Sequence, residues 1–140
     1  MEVETKRAFS ALDESLRAKL ARIIDANLNR LKEGLRVVED IRRYGYDDSA
    51  LSRRIKGLRH LAKLEVGELL EYRDSISDVL KKSVDSELNR TNLDDISTAN
   101  LKRAQESARV LEECFKLFDI SLSETFKHIR YELYDIEKLL

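Results

Sequence analysis

Residues 25–44, DANLNRLKEGLRVVEDIRRY, align without a gap on residues 98–117, TANLKRAQESARVLEECFKL. Eight of the twenty pairs are identical, where chance would give about one, so the chain contains an internal repeat. The pairs are Ala26/Ala99, Asn27/Asn100, Leu28/Leu101, Arg30/Arg103, Glu33/Glu106, Arg36/Arg109, Val37/Val110 and Glu39/Glu112. Most of them are polar. The candidate core positions have drifted instead: Leu31 stands against Ala104, and Leu35 against Ala108. A duplication kept for packing alone would hold its apolar positions, so the polar residues carry a role of their own.

The repeating unit is helical. Ile24, Leu28, Leu31, Leu35 and Val38 recur at steps of four and three, the stripe of an amphipathic helix. This helix is expected to start between Ser10 and Leu20 and to end near Tyr44, with Gly45 as its stop. Asp48 or Ser49 can cap a second helix with the stripe Leu51, Ile55, Leu58, Ala62 and Leu69. Ser121 with Glu124 reads as a capping box for the last helix, striped by Leu122, Phe126, Ile129, Leu133, Ile136 and Leu140. The repeat resumes here after a two-residue change of register: LSRRIKGLR at 51–59 matches LSETFKHIR at 122–130.

Each unit, 23–70 and 96–140, is therefore a helical hairpin. Two such hairpins predict an all-α, pseudo-two-fold four-helix bundle filling one domain over 1–140. Residues 72–97 join them as a polar crossover with no copy elsewhere, expected to hold only short helical turns.

Composition narrows the function classes. There is no Pro, and 38% of residues are charged, which suits long helices with solvated faces. The net charge of −1 gives no basic surplus for nucleic acid or an anionic membrane. The single cysteine, Cys114, allows no internal disulfide and fits a reducing, cytoplasmic setting. No apolar run reaches membrane-spanning length and no leader pattern opens the chain. Cys114 aligns with Ile41 and reads as a small core residue; His60 and His128 do not correspond in the repeat and have no metal-ligand spacing.

The polar residues divide by heptad position. With the stripe at a and d, Asn27 and Gly34 fall at g and Arg30 at c, on one flank; Asn100, Ser107 and Arg103 repeat them. Gly34 and Ser107 are small, so the space beside each Asn–Arg pair can admit a ligand or a neighbouring helix. Glu33, Arg36 and their copies point outward and suit surface ion pairs. Glu39 and Glu112 fall at e, opposite Arg59 and Arg130, and suit either a salt bridge or a metal. Asparagine is a poor helix former that costs desolvation unless satisfied, which marks Asn27 and Asn100 as functional candidates. With Arg73 and Arg90 of the crossover, the pattern suggests an arginine cluster for phosphate or carboxylate groups. Asp74, Asp78, Glu39 and Glu112 are the candidate ligands for Mg²⁺.

Three ordered motifs resemble a known family. They are IIDANLNR-x-x-EGLRVVED at 23–40, R-D-x-x-x-D-V at 73–79, and E-x-x-R at 87–90 followed by ANLKRAQESARVLEE at 99–113. Together they resemble the monofunctional hydroxymethylpyrimidine-phosphate kinases of thiamine biosynthesis, which occur alone or fused ahead of thiamine phosphate synthase. Where that family carries a Gly after Asp-Val, this chain has Leu80.

The resemblance implies transfer of the ATP γ-phosphoryl group to 4-amino-5-hydroxymethyl-2-methylpyrimidine phosphate, with ATP and Mg²⁺ as cofactors. Under it, Arg30, Arg103, Arg73 and Arg90 grip phosphates, Asn27 and Asn100 bind the pyrimidine or a phosphate, and the carboxylates hold Mg²⁺. Two other readings stand beside it. One is an arginine-lined helical enzyme acting on a small dianion without ATP, as all-helical chorismate mutases do. The other is a helical interaction module whose polar repeat is an ion-pair ladder. A homodimer is compatible with all three.

Overall fold

The computed structural model describes residues 3–64 and 67–140, and among them all regular structure is helical. The elements are α1 (Val3–Ser10), α2 (Glu14–Asp40), a π-helical turn (Ile41–Gly45), α3 (Ser49–Leu61), α4 (Gly67–Leu70), α5 (Asp85–Leu88), α6 (Leu93–Phe115) and α7 (Ile120–Glu137). No helix among the described residues is long and apolar enough to cross a membrane.

The two long helices of the repeat form the centre. Gly34 of α2 lies against Asn100 and Ala104 of α6, while Arg42 and Tyr46 reach Asp94, so α2 and α6 run antiparallel. α3 packs on α2 and α7 packs on α6. Arg54 of α3 ties the outer pair together through Glu132 (2.7 Å) and Asp135 (3.4 Å) of α7. This is the expected pseudo-two-fold bundle of two hairpins.

The core explains the drift of the apolar positions. Leu31 and Leu35 on α2, and Ala104 and Ala108 on α6, are all fully buried. Bulk on one central helix is offset by small residues on the other, and the small ones let the backbones approach. A Cβ added at Gly34 would lie 3.0 Å from the carbonyl oxygen of Asn100.

Helix ends follow the sequence with three differences. Asp13 caps α2 and Asp48 caps α3, each accepting from the N–H three residues on. The cap of α7 is Asp119 rather than Ser121: α7 begins at Ile120, and the Asp119 carboxylate accepts from Leu122 N at 3.0 Å. The second helix of the first hairpin also stops earlier than its stripe suggests, at Leu61, and Leu69 reaches the core from the separate α4. Residues 65–66 of that unit lie outside the described ones. Lastly, α1 precedes α2 and seals one end of the bundle: Phe9 is buried and its ring sits 5.4 Å from Phe118. The crossover holds the single turn α5, but it is shorter than expected: α6 begins at Leu93, so residues 93–97 already belong to the second long helix.

Candidate functional site

The structure sorts the duplicated polar residues into two groups. One group is bonded within the fold. Glu39 is 1% exposed and receives Arg59 Nε at 2.9 Å and Nη2 at 3.5 Å. Glu112, 4% exposed, receives Arg130 Nε at 3.0 Å and Arg109 Nη1 at 3.3 Å. Arg36 and Arg109 extend each cluster to Asp40 (3.5 Å) and Glu113 (3.2 Å). The same girdle is thus built twice, joining each long helix to its hairpin partner. Both buried glutamates are committed to guanidinium groups, so of the two roles open to them the geometry selects the salt bridge. Arg36 and Arg109 pair with residues C-terminal to them, not with Glu33 and Glu106.

Asn27 and Asn100 also behave alike. Each side-chain amide donates to the carbonyl four residues back, Ile23 O and Ile96 O, at 2.9 Å. That bond uses one N–H of each amide and fixes the side chain against its own helix. The space beside Gly34 is taken by α6, and Ser107 is 3% exposed in the same interface. At these two positions the neighbouring helix, not a cavity, meets the small residue.

The second group has no partner. Arg30 and Arg103 are exposed and make no ion pair or hydrogen bond among the described residues. Every other duplicated arginine is paired. Glu33 and Glu106 are likewise exposed and free of ion pairs among the described residues.

A cleft of about 830 Å³ separates the first half of α2 from the crossover segment 72–79. Asn27, Arg30, Arg73, Asp74 and Asp78 all line it, together with Arg22 and Tyr72. Five of the twelve expected site residues therefore meet at one place. The crossover is pinned over α2 by Arg73, whose Nε and Nη2 each reach an Asp25 carboxylate oxygen at 2.7 Å. This hydrogen-bonded carboxylate lifts the Arg73 pKa further above its usual range. Asp25 is buried and was not among the expected residues. Its signal was present in the heptad: it occupies the same e position as Glu39, two heptads earlier, where a buried carboxylate needs a cation.

Asp74 and Asp78 each cap the turn that follows, accepting from Ser77 N (3.0 Å) and Leu80 N (2.9 Å) through one carboxylate oxygen. The Ser77 N–H and hydroxyl, with Arg22 nearby, hold the Asp74 carboxyl below its ordinary pKa. Both carboxylates are exposed on a cleft that already holds arginines. That donor set fits Mg²⁺, which takes one or two carboxylates and completes its shell with water and phosphate oxygens. Glu39 and Glu112 do not fit it. Among the described residues no three His, Cys, Asp or Glu side chains gather as an all-protein metal site.

The remaining expected residues lie apart. Asn100 and Arg103 occupy the matching face of α6, outside the cleft. Arg90 donates to Ser86 O and Asn89 O at the end of α5. Cys114 is half-buried against the core, and burial raises its thiol pKa, as suits a packing residue.

Fold and site together define an all-α bundle built from duplicated hairpins, with an arginine-lined cleft under its crossover. The chain belongs to the ThiD2 family, whose model matches residues 22–139. Its curated relatives are longer proteins. A thiamine-phosphate synthase of Thermosynechococcus vestitus is 44% identical over 124 residues, covering 87% of this chain and 35% of the relative. Thiamine-phosphate synthases of Synechococcus sp. (strain CC9605) and Nostoc punctiforme are 41% and 36% identical, with 89% and 91% of this chain covered. The chain spans 36% and 37% of those two relatives, so it corresponds to about a third of each protein. No solved structure matches the chain.

Proposed function

We propose that this chain acts in thiamine biosynthesis as a hydroxymethylpyrimidine-phosphate kinase, transferring the ATP γ-phosphoryl group to the phosphate of 4-amino-5-hydroxymethyl-2-methylpyrimidine phosphate. The observation that carries the reading is Arg30: a duplicated, exposed guanidinium, unpaired among the described residues, in a cleft with Asn27, Arg73 and the exposed carboxylates of Asp74 and Asp78. The relatives support the pathway. That the chain matches only part of each fits a kinase domain fused to a synthase.

The acceptor chemistry suits these residues. A phosphate monoester has a second pKa near 6 and is largely dianionic at pH 7, so no general base is needed to expose its nucleophile. An acceptor phosphate oxygen bonds to the γ-phosphorus as the bond from γ-phosphorus to the bridging oxygen breaks, giving the pyrimidine diphosphate and ADP. The obstacle is bringing two anions together, which positioned cations relieve. Arg30 supplies uncommitted positive charge inside the cleft, Arg73 offers its remaining Nη1 while Nε and Nη2 stay on Asp25, Arg103 supplies charge on the matching face of α6, and the Asn27 oxygen accepts from a ring amine or hydroxyl. Mg²⁺ held by Asp74 and Asp78 would neutralise charge on the triphosphate. Arg90 lies on the crossover just after α5, outside the lining of the cleft.

The test offers ATP and Mg²⁺ with the pyrimidine monophosphate and the unphosphorylated alcohol side by side. Diphosphate from the monophosphate alone is the expected outcome. No turnover of either by folded protein would overturn the reading in favour of a metal-free enzyme or an interaction module.

A further inference from the structure

The crossover carries a pattern that the cleft does not use. Residues 80–88 read LKKSVDSEL, a stretch that is palindromic in polarity and inverted in charge about Val84. Leu80 answers Leu88, Lys81 answers Glu87, and the places between are polar on both sides. A two-fold axis through Val84 would set leucine against leucine and lysine against glutamate.

The stretch is unused within its own chain. Leu80 is 83% exposed, Leu88 69% and Val84 55%, and Ile76 and Val79 beside them are at least as bare as Leu80. No apolar residue of 73–93 joins the core or packs on it. Lys81, Lys82, Asp85 and Glu87 are exposed and make no ion pair among the described residues; Lys81 reaches only the carbonyl of Ile76, at 3.2 Å. The segment is held in place all the same. Asp78 caps the turn at Leu80, and Arg90 donates to Ser86 O and Asn89 O. Its apolar side chains therefore stand in water instead of folding onto the bundle, and monomers rarely expose a contiguous apolar patch above about a few hundred Å².

Charge chooses the occupant. Lys81 and Lys82 against Asp85 and Glu87 leave the stretch without net charge, so nothing in it draws an anionic membrane or a nucleic acid. In a closed two-fold interface residue i of one copy meets j of the other while j meets i, and this stretch is self-complementary in that sense. Five bare apolar residues per copy supply area on the order of the 800 Å² that each partner buries in a stable complex.

We infer that residues 76–88 form the interface of a homodimer, in which a second copy of this chain packs antiparallel across a two-fold axis at Val84. Leu80 packs on Leu88 of the partner subunit and Lys81 pairs with Glu87 of the partner subunit, each contact being made twice. Leu80 follows directly on Val79, the last residue lining the cleft, so the interface lies beside the cleft. The dimer does not depend on the reaction proposed for that cleft.

Sedimentation velocity of the full chain over a concentration series tests the inference without any turnover. A reversible dimer is expected. Lys81→Glu and Glu87→Lys each bring like charges together at two places and should weaken association at least tenfold. The double variant Lys81→Glu/Glu87→Lys should restore it, and Leu80→Asp should leave a monomer. All three positions are exposed, so circular dichroism should show every variant folded. Leu139→Asp, at an exposed residue outside the strap, should keep the dimer. A chain that stays monomeric at every concentration would overturn the inference and leave the strap to a different partner. A dimer indifferent to Leu80→Asp, or single reversals that the double variant does not rescue, would overturn it as well.

Discussion

Two glycines in this chain look alike in sequence and differ in what surrounds them. Gly34 meets the α6 backbone, so a methyl group there requires two packed helices to give by a few tenths of an ångström; overpacking of this kind costs about 1–3 kcal/mol, against about 1 kcal/mol gained in helix propensity. Gly57, inside α3, has nothing within 4 Å of an added Cβ, and an exposed helical glycine costs about 1 kcal/mol relative to alanine. Gly34→Ala is therefore expected to lower the melting temperature and Gly57→Ala to raise it, each read by thermal denaturation. The same shift in both variants would contradict the close approach of α2 and α6. Asn27 and Asn100 make a similar point. Their poor helix propensity is offset by a bond to their own helix.

At the scale of elements, the hairpins are held by buried ion pairs as well as by their stripes. Removing one partner of such a pair strands the other charge, at a cost of about 3–5 kcal/mol. Arg59→Ala should destabilise the chain by roughly 3 kcal/mol in denaturant melts, because Glu39 would be left almost fully buried with only the half-exposed Arg36, 4.0 Å away, to offset it. A loss below about 0.5 kcal/mol would place the pair among inert surface bridges. Much of this level was legible beforehand. The stripe of α2, the stop near Gly45, the cap at Asp48 and the pairing of e-position glutamates with Arg59 and Arg130 all follow from spacing. The cap of α7 was misassigned because Asp119 and Ser121 are both good caps, and only the path of the α6–α7 turn chooses between them. The site was half legible. Residues on α2 could be placed by heptad, but Arg73, Asp74 and Asp78 reach the cleft through a crossover with no periodicity. Its anchor is a long-range bond to Asp25 that the repeat does not duplicate.

For the whole molecule, charge sets the pH response. Glu113 beside Lys116, Glu137 beside Lys102 and Gln105, Asp95 beside Thr91 and Asp74 beside Ser77 all have carboxyls held below their ordinary pKa. A carboxyl depressed in the folded state binds fewer protons there than in the unfolded chain. Its contribution is complete above the unfolded value and is lost as pH falls through the folded one. The melting temperature should thus be flat from about pH 7 to 5 and decline below about pH 4. A maximum in the acid range would contradict this network.

The central claim is that duplication preserved two sets of polar residues for two purposes, one to clamp the hairpins and one to face a ligand. It is tested most directly by comparing phosphoryl transfer to the pyrimidine monophosphate in Arg30→Ala, Arg103→Ala and Arg36→Ala, with thermal melts of each. Arg30 and Arg103 are exposed and unpaired among the described residues, so both variants should keep the wild-type melt and lose about 10²-fold or more in rate. Arg36→Ala removes a girdle arginine and should keep its rate within a few-fold. Equal rates in all three variants, or a lowered melt with the rate intact in Arg30→Ala, would contradict the division.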